Sequence, residues 1–154
     1  MHLSFWETAS HLSNTSSSHD GKWSVNQNTE HLNKVLSQVN NFLNIPKETI
    51  ELNFGLSNRK SMTYKSLIKV YEMALKKGVK STAPYIPDSN LNTTELIVQG
   101  KELLSNLILN IQKWEEDDLE SYNCPHPALG IITIRELLYF TIYHVEHHHK
   151  IIKK

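Results

Sequence analysis

Between Ser24 and Pro46 the apolar residues Val25, Leu32, Val35, Leu36, Val39, Phe42 and Leu43 return at three- and four-residue intervals, a spacing that a helix lays along one face. Ser24 with Gln27 three residues on supplies a capping-box start, and Pro46 supplies the stop. Ser61 to Lys77 repeats the pattern through Leu67, Ile68, Val70, Tyr71, Ala74 and Leu75, with Gly78 as a natural C-terminal stop. A third helix is predicted from about Asn92 to Trp114: Asn92 and Glu95 cap it, and Leu96, Leu103, Leu104, Leu107, Ile108 and Ile111 form its apolar face. Thr133 and Glu136 open a last helix that runs to about Ile152. The acidic run Glu115 to Asp118 reads as the solvated end of the third helix, where carboxylates oppose the dipole and fray the last turn. Ser13 to Asp20 reads as a polar loop, and Tyr122 to Ile132, with Pro125, Pro127 and Gly130, as an irregular one. No segment reads as a strand. The expected fold is an all-α antiparallel bundle.

At 154 residues the chain has the usual size of one domain, 1–154, large enough to bury a core without staples. Sixteen basic residues balance sixteen acidic ones without any basic block, so the footprint of a nucleic-acid binder is missing. No apolar run reaches the ~18 residues that would span a bilayer, and Met1 to Ser10 lacks the basic start and apolar stretch of a signal peptide. The expectation is a cytoplasmic protein with a small-molecule partner, no nucleic acid and no membrane. Cys124 is the only cysteine, which removes internal disulfides and cysteine-based zinc sites, and it reads as a small apolar residue.

The unusual count is nine histidines, four of them in His144-Val145-Glu146-His147-His148-His149. A helix turns about 100° per residue, so His144, Thr141, Leu137 and Ile134 all fall within about 40° of His148 on one stripe. His147 and His149 project to either side as rim residues, and Glu146 points away from the stripe. Histidines at i and i+4 can converge on one ion about 2.0–2.1 Å from each nitrogen. They can equally hydrogen-bond one another in a core, and spacing leaves both readings open. A metal would need a third ligand, for which His31, beside Leu32 in the other capped helix, is the candidate, since bundles build metal sites from facing helices. His126, before Pro127, could reach the mouth of the site but reads first as a turn residue, Tyr139 and Tyr143 read as core ahead of a place behind the ligands, and His2, His11 and His19 carry no signal.

Two segments resemble a known family. Gly21-Lys22-Trp23-Ser24-Val25-Asn26-Gln27-Asn28-Thr29-Glu30-His31-Leu32 is similar to the Trp-Ser-x-x-Gln-x-x-x-His-Leu signature of the DinB-like (YfiT-like) superfamily. His126-Pro127-Ala128-Leu129-Gly130, then Thr133 to Leu137, Tyr143-His144 and His147-His148, resembles its C-terminal signature. The likeness is to the small helical proteins of that name, not to the DNA polymerase. It implies a four-helix bundle that holds a nickel- or zinc-type ion with one histidine from the second helix and a His-x-x-x-His pair from the last. Here those positions are His31, His144 and His148. The family usually has a full-length helix ahead of this signature, whereas only 22 residues precede Trp23, so Leu3 to Leu12 makes at most about three turns. Either the first helix is shortened, or Ser61 to Lys77 moves in over the face it would cover, or a second subunit does, and a homodimer is expected on that ground.

Three neutral histidines leave a fourth coordination position open, the arrangement of catalytic zinc. The resemblance implies two chemistries: transferases that use a low-molecular-weight thiol, and metal-dependent hydrolases. The expected function is a metal-dependent enzyme acting on a small molecule, of the thiol-dependent transferase type. Metal-assisted hydrolysis comes second, and a non-catalytic bundle binding a metal or small ligand third.

Overall fold

The computed structural model describes residues 3–12, 21–88 and 90–154. The polar loop read at Ser13 to Asp20, together with His2 and His19, lies outside the described residues. In chain order the elements are α1 Leu3–Leu12, α2 Val25–Leu43, α3 Lys47–Phe54, α4 Tyr64–Lys76, a 3-10 turn Ala83–Tyr85, α5 Thr93–Ile111, α6 Glu116–Ser121, β1 Asn123–His126, β2 Gly130–Thr133 and α7 Ile134–Ile152. The protein is mostly helical, as expected, and among the described residues no helix is long and apolar enough to cross a membrane.

All three capping boxes form with both reciprocal hydrogen bonds: Ser24 with Gln27, Asn92 with Glu95, Thr133 with Glu136. They fix where α2, α5 and α7 begin. Helix α4 starts later than the expected Ser61, because Thr63 caps it by accepting from the Ser66 N–H, while Ser61 bonds the Thr133 hydroxyl at 2.6 Å. Polar ties run in step along α2 and α5, from Asn26–Thr93 through Asn33–Leu96 and Asn40–Leu103 to Asn44–Lys113, so these two neighbours point the same way. The long connection through α3 and α4 permits this parallel placement. Helix α7 runs against α2, with His148 beside Asn28 and His144 beside His31.

Short α1 closes the remaining side. Phe5, Trp6 and Ala9 are fully buried against α2, α5 and α7. The Trp6 indole N–H donates to Asn33 Oδ1 at 3.1 Å, and the ring lies on Gly100, where a Cβ would come within 1.8 Å of the indole nitrogen. The first helix is thus abbreviated but seated on a glycine notch, and α4 packs on α7 instead of taking its place.

Three readings of the sequence need correction. Tyr122 to Ile132 is not an irregular loop: β1 and β2 pair antiparallel from Asn123↔Thr133 to His126↔Gly130. Cys124 and Ile132, paired, face the core, while Pro125 and Ile131 face outward; four-residue strands interrupted by proline are too short to show a period of two. Gly130, at φ 73, supplies the left-handed conformation that returns the chain. Glu115 to Asp118 is not a frayed C-terminus. Glu116, Asp117 and Asp118 form the first turn of α6, where the helix dipole favours carboxylates. Finally, Pro46 both stops α2 and caps α3, a helix with only Ile50 buried and therefore little apolar pattern to announce it.

The start of α7 is fastened by Glu136, whose carboxylate is fully buried. Burial would raise its pKa, but Arg59, at 2.6 and 2.8 Å, and the N–H groups of Met62 and Thr133 hold it below the ordinary value.

Candidate metal centre

Helix α2 brings in His31, one turn beyond the Ser24 box, and α7 brings in His144 and His148 on its core-facing stripe. All three side chains are buried, with 3%, 5% and 6% of their surface exposed. His144 Nε2 lies 3.2 Å from His31 Nε2 and 3.2 Å from His148 Nε2. Two nitrogens bound tetrahedrally to one ion at about 2.0–2.1 Å stand about 3.3–3.4 Å apart, so these separations already match a ligand set. Among the described residues this is the one cluster of three potential ligands close enough to share an ion.

The tautomers are set by the far side of each ring. His31 Nδ1 stands 2.7 Å from the Tyr85 carbonyl, which can only accept, so Nδ1 carries the proton. The Asn28 amide nitrogen donates to the carbonyls of Trp23 and Ser24, which turns Oδ1 toward His148 Nδ1 at 2.7 Å. His148 Nδ1 is therefore also protonated. Both Nε2 lone pairs then face His144 Nε2. A proton on that atom can satisfy only one neighbour well, and without it two pairs of lone pairs confront each other. A cation at the common point relieves all three, whereas His144 Nδ1 is buried without a partner in either state. The residues present fit a divalent ion.

Burial holds the three rings neutral, the form that binds metal. It drives His148 down to about 2, with His31 and His147 adding to the shift. His144 is lowered far below its ordinary range by burial and then by its neighbours. Burial also lowers His31, against the opposing pull of the Tyr85 carbonyl.

The three histidines line a cleft of about 860 Å³. Val35, Val39, Phe42, Ile45, Leu75 and Leu137 make much of its wall, and Lys80 is the one charged side chain among the described lining residues. Phe140 stacks on His144 at 4.9 Å between centroids, Trp23 lies 4.9 Å from His31, and Tyr71 stands edge-on to His144 at 6.4 Å. Cys124 lines the cleft, but burial pushes its thiol up to about 12, which makes it inert as expected.

His147 sits half-buried on the cleft wall, and His149 bonds Thr8 of α1 at 2.9 Å. Glu146 faces Tyr64, off the centre, and His11 is exposed. Tyr139 packs edge-on to Tyr64, and Tyr143, half-buried against the core and edge-on to Tyr71, reaches Glu72 with its hydroxyl. His126 ends β1 at the turn, yet its ring packs against Phe140 at 4.2 Å and lines the cleft, with burial lowering its pKa to about 4. Sequence reasoning gave no role to Asn28 or to the Tyr85 carbonyl. Asn28 lies three residues before His31 on α2, a spacing that put it within reach of the same face; nothing local marked Tyr85.

Fold and site together define a helical bundle with a buried three-histidine centre, able to hold a metal, beneath an apolar cleft. The chain belongs to the DinB superfamily, whose family model matches residues 6–152. Searches of curated proteins and of solved structures found no match.

Proposed function

We propose that His31, His144 and His148 bind one divalent transition metal ion, zinc or nickel, and that the protein is a metal-dependent enzyme of the thiol-dependent transferase type. The observation that carries this reading is the convergence of three neutral Nε2 atoms in the lining of the cleft. When bound, the ion would supply Lewis acidity and favour a thiol substrate in its thiolate form. Asn28 and the Tyr85 carbonyl hold two of the rings in the metal-binding tautomer. Trp23 and Phe140 pack beside the rings and exclude water from them. No carboxylate is found among the described lining residues, so a base for water activation would have to be His126 or His147, both of which burial makes weaker bases than an ordinary imidazole. With Cys124 held protonated, the nucleophile must arrive with a second substrate. The lack of a carboxylate base favours thiol transfer over hydrolysis.

Elemental analysis of protein purified without chelator tests the site. About one metal ion per chain is expected, with loss in His31→Ala, His144→Ala and His148→Ala and retention in His147→Ala. Unchanged content in the first three refutes it. Thiol-dependent turnover that disappears with the metal supports the transferase reading. Thiol-independent ester cleavage would put hydrolysis first, and no turnover on either panel would favour the binding bundle. The homodimer rests on the exposed apolar side chains Val98, Ile108 and Leu109 of α5, and a clean monomer in sedimentation at micromolar concentration refutes it.

A further inference from the structure

His126 stands apart from the triad, one phenyl ring away: it packs on Phe140, which in turn stacks on His144. Its Nδ1 accepts a hydrogen bond from the Ala128 N–H at 3.2 Å. An accepting Nδ1 has no proton, so in the neutral ring the proton is on Nε2. That Nε2–H has no hydrogen-bond partner among the described residues. Nor is it sealed away, since the only fully buried side-chain polar atom without a partner there is His144 Nδ1. The hairpin thus leaves a fixed, unused donor on a residue that lines an apolar cleft whose one charged lining residue among those described, Lys80, is exposed. An unmet donor in such a wall discriminates strongly between ligands that can accept from it and ligands that cannot.

We propose that the cleft takes an uncharged, largely apolar molecule bearing a carbonyl oxygen, and that His126 Nε2–H is the specificity-determining contact to that oxygen. This deepens the reading of the cleft as a substrate site. It requires no change in the ligand set, because His126 is not one of the three converging histidines.

The test compares two neutral naphthalene dyes on the full chain, with zinc added and without. Prodan carries a ketone whose emission reports hydrogen bonding; N-phenyl-1-naphthylamine has no carbonyl. Wild type is expected to bind both. His126→Phe should weaken prodan roughly tenfold and shift its bound emission to the blue, while N-phenyl-1-naphthylamine changes by less than about twofold. His126→Gln, which keeps an N–H donor, should recover part of the prodan affinity. Equal weakening of both dyes, no weakening of either, or no binding of prodan by wild type overturns the proposal. Circular dichroism confirms the fold of each variant. Zinc content measured on the same samples separates this outcome from failure of the metal site, since the dye comparison can succeed in a chain that holds no zinc.

Discussion

Acidifying the metal-free protein from about pH 7.5 to about pH 5.5 should cost it much of its stability. In the unfolded chain each imidazole titrates near its ordinary value of 6.5, so at pH 5.5 about nine-tenths of them are protonated. In the native state His148, at about 2, and His126, at about 4, remain neutral. The native state then binds fewer protons than the unfolded one, and stability rises with pH. The contribution is complete above about 6.5 and is lost as pH falls toward the native values. For each residue the linkage comes to about 1.4 kcal/mol at pH 5.5, or about 3 kcal/mol for the two together. Burial lowers His31 and His144 in the same direction, which steepens the loss. The depressed carboxyls of Glu136, Glu120 and Asp88 start from ordinary values of 3.8 to 4.5, so they act below this window. Urea denaturation of chelator-treated protein, followed by helical circular dichroism at several pH values, reads the slope. His126→Phe should remove about 1.4 kcal/mol of the pH dependence, whatever it does to the absolute stability. A flat profile between pH 7.5 and 5.5, or stability that rises on acidification, refutes the reasoning.

Asn28→Leu should lower metal affinity roughly 10- to 100-fold with the fold intact, because His148 loses the acceptor that fixes its tautomer; competition with a colorimetric chelator reads this, and unchanged affinity contradicts it. Gly100→Ala should destabilise by about 1–3 kcal/mol, since the new methyl meets the Trp6 ring, and a change below about 0.5 kcal/mol would mean that α1 is not seated as described. Glu136→Ala leaves Arg59 and two backbone N–H groups without their acceptor and should cost about 3 kcal/mol or more in denaturant unfolding, with the effect shrinking at low pH as the wild-type carboxylate protonates.

The amino-acid sequence determined the parts of this protein that are written in local periodicity and local caps. Apolar residues at three- and four-residue spacing made α2, α5 and α7 legible, and the Ser24, Asn92 and Thr133 boxes marked their starts, because both signals act within one or two turns of chain. The same geometry placed His144 and His148 on one stripe and made His31, beside Leu32 on the other capped helix, the candidate third ligand, a position the family signature also marked. Tertiary structure decided what depends on partners distant along the chain. The β1–β2 hairpin owes its inward Cys124–Ile132 pair to a core that the other elements build. The sign of the dipole effect on Glu116 to Asp118 depended on which side of Trp114 the chain turned, and Trp114 is held by Leu43, 71 residues earlier. The seat of α1 required Gly100 to lie under Trp6. At the three-histidine cluster, only the folded chain could bring the Tyr85 carbonyl to His31 and Asn28 to His148, and those two contacts decide which nitrogen of each ring carries a proton and so which is left free to bind a metal.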